Sequence, residues 1–109
     1  MDDEDLVFRA LADPTRRRIL DALRDRDALS LSDLESRVVE GGEMTRYGVM
    51  KHLKVLVAAG LVTTERDGRR TLHHLNPVPI RLVHDRWISR YTETHVAALT
   101  DLKQRLENP

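Results

Sequence analysis

Arg46, Tyr47, Met50, Lys51 and Lys54 fall within nine consecutive residues, and Arg66, Arg69 and Arg70 crowd around the dipeptide Asp67-Gly68 a short way downstream. These side chains bind rather than transform. A guanidinium such as that of Arg46 can take guanine in a two-point contact, the Tyr47 phenol can meet a base or a phosphate, the Met50 thioether can pack on a thymine methyl, and Lys51 and Lys54 can pair with phosphates. Thr45, just ahead of them, adds a hydroxyl. The arginines around Asp67-Gly68 suit a sugar-phosphate backbone or a minor groove.

Overall neutrality hides this chemistry. The chain carries 18 Lys and Arg against 18 Asp and Glu. Residues 1–43 hold seven arginines and twelve acids, net minus five; residues 44–76 hold six bases and two acids, net plus four; residues 77–109 are close to balanced at plus one. The middle of the chain is a basic island, and contacts follow local potential rather than the sum of charges. An ordinary solvated surface is the competing reading of each such side chain taken alone, and their joint placement favours binding.

Other chemistries find little support. With no cysteine, disulfides, thiolate metal sites and thiol redox sensing are excluded. There is no glycine-rich phosphate loop, no nucleophile elbow and no convincing pair of carboxylates, so an enzyme is not expected, nor a cofactor. Of the five histidines, His73 and His74 are neighbours on a β-type run and point to opposite faces, while His84 and His95 stand eleven residues apart on a helical run. Eleven residues are close to three turns and place that pair on one face. Two imidazoles alone make a poor zinc site, so no metal is assigned.

The elements that must position the basic groups follow from local signals. Glu4–Ala12 reads as a helix with Leu6, Val7, Ala10 and Leu11 on one side. Asp13 is an N-cap and Pro14 a first helical residue, so a second helix runs from Pro14 to about Arg26 and buries Ile19, Leu20 and Leu23. Residues 28–32 alternate as a short extended piece. Ser32-Asp-Leu-Glu35 reads as a capping box that starts a third helix at Asp33, and Val39–Glu43, with its two glycines, breaks it. A fourth helix is expected after the Thr45 cap and ends at Gly60. Leu61–Arg66 and Arg70–Leu75 are β-type runs joined by Asp-Gly, a strong hairpin signal. Apolar residues from Ile80 to Leu106 recur at helical spacing and predict one long final helix.

Two helices and a turn followed by a basic hairpin make a winged helix-turn-helix, whose second helix enters the major groove of DNA. In the fourth helix Val49, Leu53 and Leu56 share one side, and Tyr47, Met50, Lys51 and Lys54 lie roughly opposite. The fold class is therefore mainly α with a β-hairpin wing, in the order helix, helix, short strand, helix, helix, strand, strand, helix. A chain of 109 residues suits a single domain over 1–109 that gains stability by pairing with a copy of itself. No apolar run reaches membrane-spanning length and the acidic start is unlike a signal peptide, so a cytoplasmic protein without membrane contact is expected.

The runs Phe8-Arg-Ala-Leu-Ala-Asp-Pro-Thr-Arg-Arg-Arg-Ile-Leu20, Val49-Met-Lys-His-Leu-Lys-Val-Leu56, Ala59-Gly-Leu-Val62 and Arg66-Asp-Gly-Arg69 resemble the ArsR/SmtB-type transcriptional repressors from about residue 6 onward. The resemblance implies a homodimer, joined through the first and last helices, about 4–12 and 80–106, that binds an imperfect palindrome in double-stranded DNA and represses transcription, its own operon among the possible targets. Leu6, Val7, Val83, Trp87, Tyr91, Leu99 and Leu102 are the interface residues this implies. Three departures matter. Ser30-Leu-Ser32 stands where arsenic and cadmium sensors have Cys-x-Cys, and Leu82 and Ala98 stand where zinc sensors place the carboxylates that accompany His84 and His95. Residues 39–44 lengthen the usual short turn by about four residues, with Met44 as its apolar plug. The competing functions are a metal- or small-molecule-responsive repressor acting through the last helix, and a winged-helix module that binds only protein.

Overall fold

A computed structural model describes residues 3–38 and 45–108, and of residues 93 and 94 the backbone alone. The connection 39–44, with the helix break and Met44 plug expected there, lies outside the described residues. The chain divides into two compact units, Met1–Pro79 and Ile80–Pro109.

In the first unit, α1 (Asp3–Leu11) has Asp3, Glu4 and Asp5 in its first turn and Arg9 in its last, charges that complement the helix dipole. Helix α2 (Pro14–Asp25) begins as expected: the Asp13 carboxylate accepts the Arg16 backbone N–H at 3.0 Å, and Pro14 occupies the first turn. Its apolar face, Ile19, Leu20 and Leu23, is buried.

Strand β1 (Leu29–Ser30) leads directly into α3 (Leu31–Val38), and here the start differs from the expectation. The capping pair is Ser30 and Asp33 rather than Ser32 and Glu35. The Ser30 hydroxyl accepts the Asp33 N–H at 3.2 Å, and the Asp33 carboxylate accepts the Ser30 N–H at 3.0 Å. Both tetrapeptides have the required spacing, but Ser30 is also paired with Leu72 across the sheet, so extended backbone ends there and the helix begins one residue later. Glu35, released from capping, forms an ion pair with Arg46 at 3.6 Å.

Helix α4 (Arg46–Ala58) has Thr45 as its N-cap, with the hydroxyl oxygen accepting the Gly48 N–H at 3.1 Å. It ends at Gly60, whose φ of 75° is the left-handed conformation a C′ glycine supplies. Strands β2 (Val62–Asp67) and β3 (Arg70–Leu75) form the expected hairpin, with Asp67 paired to Arg70, so only Gly68 and Arg69 make the loop. Gly68, at φ 61°, takes the positive-φ position of that loop. The sheet order is β1-β3-β2. Asn76 ties its end to α4: its N–H donates to the Leu61 carbonyl and its side-chain amide to the Gly60 carbonyl. Ile19, Leu34, Val49, Leu56, Leu61 and Val62 are the largest fully buried side chains. Each contributes about 1.5–3 kcal/mol by leaving water, and together they seat α4 and the base of the wing on α2 and α3.

Beyond Pro77 the chain is helical but not uniform. Helix α5 (Val78–Val83) passes into a π-helical turn at His84–Ile88, which continues as α6 (Ser89–Glu107). The Ser89 N–H bonds the His84 carbonyl, five residues back. One long helix of constant pitch was the expectation. The wider turn takes one residue more than an α-turn for each circuit, so side chains before and after it slip in phase by about 100°.

Candidate nucleic-acid interface

Helix α4 separates its side chains as its periodicity requires. Val49, Leu53 and Leu56 are buried, and Arg46, Tyr47, Met50, Lys51 and Lys54 are exposed. Anchoring one face on the core holds the other in a fixed frame, and Thr45 fixes where that frame begins. Because the Thr45 hydroxyl oxygen accepts within the helix, its own proton is left to donate outward. The Lys51 ammonium sits 4.9 Å from the centre of the Tyr47 ring, one turn away, which restrains both side chains before any ligand arrives. Arg46 is restrained in turn by Glu35 of α3.

The wing is organised in the same way. Arg70 is paired with Asp67 at 3.0 Å, and Arg66 reaches the Gly68 carbonyl at 3.4 Å. Lys54 and Arg69 form no hydrogen bond or ion pair among the described residues, which leaves one unpartnered cation on the helix and one at the wing tip.

Histidines tie together the elements that carry this surface. His73 is buried, with Nδ1 2.9 Å from the Leu29 carbonyl oxygen, tying β3 to β1. His74 faces the other way and bridges Asp27, at 3.0 Å, and Glu65, at 2.8 Å. Those two partners, Glu65 first, hold its imidazole above the usual histidine range. The two rings do diverge, as alternation on a strand demands. His52 lies between Arg16 at 3.3 Å and Asp13 at 3.7 Å. Arg16 also donates to the Arg9 and Ala10 carbonyls, so one guanidinium caps α1 and steadies α4. Arg16 is the first of three successive arginines, Arg16, Arg17 and Arg18, at the start of α2. The signal that distinguishes it is its position three residues after the Asp13 cap, facing the end of the preceding helix.

The candidate metal pair is not brought together. The π-helical turn lies between His84 and His95, so they lose the common face that eleven α-helical residues would provide. His84 Nδ1 contacts Asp85 at 3.2 Å, and the His95 ring lies 6.3 Å from that of Tyr91. Among the described residues no group of three His, Cys, Asp or Glu side chains is arranged to hold a metal ion.

The residues proposed for pairing divide into two sets. Val7 and Val83 are buried, and Leu6 is half-buried. In the second unit Trp87, Tyr91, Leu99 and Leu102 are all about half exposed or more. Among the described residues, no helix is long and apolar enough to cross a membrane.

The chain's similarities to known proteins agree with this geometry. A family model described as a helix-turn-helix domain matches residues 11–65, the segment from the end of α1 into β2. YuzN of Bacillus subtilis (strain 168), an uncharacterised HTH-type transcriptional regulator, is 40% identical over 88 residues, covering 79% of this chain and 96% of that protein. The transcriptional repressor SdpR of the same organism is 33% identical over 70 residues, covering 64% of this chain and 72% of that protein. Among solved structures, an ArsR-like transcriptional regulator from Rhodococcus sp. RHA1 superposes with a TM-score of 0.72 at 30% identity, covering 98% of this chain and 93% of that one. The surface built by α4 and the wing therefore belongs to a DNA-binding transcriptional regulator and not to an enzyme, and the chain is a member of the ArsR/SmtB-type family of winged helix-turn-helix regulators.

Proposed function

We propose that the chain acts as a homodimeric repressor that reads an imperfect palindrome with helix 46–59 and wing 63–72. The observation that carries this reading is the clean division of α4, with Val49, Leu53 and Leu56 buried and Arg46, Tyr47, Met50, Lys51 and Lys54 presented beside an arginine-bearing hairpin. Arg46, Tyr47, Met50 and Lys51 contact bases in this reading. Thr45, Lys54, Arg66, Arg69 and Arg70 bind the backbone. The whole of 1–109 serves as one DNA-binding protein, the second unit supplying the pairing surface.

Pairing is supported by an apolar stripe at helical spacing: Tyr91, Leu99, Leu102 and Leu106 are all exposed. A soluble monomer seldom leaves such a continuous stripe in water. Repression, rather than activation, draws on the likeness to SdpR, which is a repressor.

The test is titration onto the DNA upstream of the chain's own gene at two salt concentrations, with and without zinc, alongside sedimentation to read the assembly. A sequence-selective complex that weakens steeply with salt, formed by a dimer, is expected. Loss of salt sensitivity or of selectivity would transfer the chain to the protein-interaction reading. Release by zinc that His84→Ala or His95→Ala abolishes would instead establish metal sensing through the last helix.

A further inference from the structure

A groove of about 790 Å³ runs between α3, α4 and the wing. Its volume falls within the roughly 300–1,000 Å³ of small-molecule sites. Leu31, Leu53 and Val57 contribute apolar wall, and Arg46, Lys54, Arg69 and Arg70 contribute cations. Arg46 and Arg70 are already engaged by Glu35 and Asp67. Lys54 and Arg69 are not, so an incoming negative charge finds its partners there.

His73 adds a requirement that a phosphodiester backbone does not meet. The Leu29 carbonyl can only accept, so Nδ1 of His73 carries a proton, and in the neutral ring Nε2 is the acceptor. Nε2 has no partner among the described residues and is not fully buried, and His73 is among the residues that line the groove. A phosphodiester backbone presents acceptors and charge; it has no use for an apolar wall and nothing to donate to Nε2. An organic anion with an apolar body and an N–H or O–H satisfies all three. Asp33, also in the lining, repels an anion at the α3 end and so orients the ligand with its charge toward Lys54 and Arg69.

We propose that this groove binds an amphipathic organic anion, an aryl or long-chain carboxylate or sulfonate bearing a hydrogen-bond donor, and that its occupancy excludes DNA. The exclusion rests on the DNA-reading assignment above, because Arg46, Met50, Lys54, Arg69 and Arg70 belong to both surfaces. The ligand is thus an inducer by direct competition, with no conformational relay.

The probe is 8-anilinonaphthalene-1-sulfonate, which carries two aromatic groups, a sulfonate and an N–H. Its fluorescence is titrated with the full chain alone, and the upstream duplex is titrated separately without probe, so the two surfaces are read independently. Saturable probe binding that the duplex reverses is expected. Val57 is 42% exposed and is none of the residues assigned a base or phosphate contact, and the duplex affinity of Val57→Asn is measured alongside its probe affinity. The substitution weakens the probe about fivefold, or about 1 kcal/mol. Probe binding that is absent, that the duplex fails to displace, or that Val57→Asn leaves unchanged overturns the proposal even where the duplex binds. Failure of the duplex to bind on its own sinks the DNA reading and the exclusion with it. Should Val57→Asn unfold the chain, displacement in the unaltered protein decides.

Discussion

Arg16 of α2 approaches His52 of α4 with 3.3 Å between guanidinium and ring nitrogen, while its other nitrogens hold the last carbonyls of α1. A guanidinium can serve three directions at once because its donors are fixed in a plane. Replacement by alanine leaves the Arg9 and Ala10 carbonyls without these donors and loosens His52 beside the proposed reading face. Arg16→Ala should lower stability by about 1–3 kcal/mol in urea unfolding, and Arg16→Lys should recover less than half of that, since an ammonium cannot span the same partners.

The start of α3 separates two serines with the same local credentials. Ser30→Ala should cost about 1 kcal/mol, the usual value of an N-cap. Ser32 is exposed and contributes only its backbone carbonyl, to the Ser36 hydroxyl, so Ser32→Ala should stay within about 0.5 kcal/mol of the parent. Chemical denaturation of the two variants reads the difference directly. Equal effects would return the cap to the Ser32-Glu35 register.

His74 makes the sheet pH-dependent in a definite direction. Glu65 and Asp27 raise its pKa in the folded state, so its stabilising contribution is complete below the ordinary histidine value of about 6.5 and is lost as pH rises through the higher folded value. The thermal midpoint of the parent should therefore fall over that window relative to His74→Gln, in which neither state titrates there. Asp33 acts at the other end of the scale. The Ser30 N–H, followed by the Ser30 hydroxyl, holds its carboxyl below the usual range, so its contribution is present above the ordinary carboxylate value and disappears as pH falls through the lowered one.

DNA affinity should divide the cations by role. Lys54→Ala and Arg69→Ala each remove a group without a protein partner from both protomers of the proposed dimer, and each should weaken all duplexes alike and reduce the slope of log affinity against log salt by about 1.8, or about 0.9 per phosphate contact. Arg46→Ala should cost about 1–3 kcal/mol per half-site on the preferred duplex and flatten discrimination at one base pair of each half-site. Fluorescence anisotropy on matched and scrambled duplexes at several salt concentrations measures both quantities.

Much of the candidate surface was legible because its signals are local. Thr45 and Gly60 mark the ends of α4, the spacing of Val49, Leu53 and Leu56 sets its buried side, and Asp67-Gly68 announces the hairpin. What escaped depends on partners distant in sequence. Ser30 rather than Ser32 caps α3 because β3 pairs with it, more than forty residues away. The inward role of Arg16 needs the end of α1 and His52 of α4 in the same place. The groove wall formed by Val57 and His73 exists only once the wing folds back along α4. The π-helical turn left no trace in a pattern of Ile80, Val83, Trp87 and Tyr91 that an unbroken helix satisfies equally well.

That wider turn has a consequence for changing the length of the chain. A helix holding one residue too many in a single turn already accommodates an insertion, so removing one residue within His84–Ile88 converts the turn to ordinary pitch and keeps every later hydrogen bond. The same deletion within Ser89–Glu107 would rotate the remainder of the stripe away from its face. Single-residue deletions should accordingly be tolerated in the first stretch and disruptive in the second, and transplanting a histidine–carboxylate ligand set from a zinc-sensing relative requires that deletion before residue counting becomes a valid guide to position.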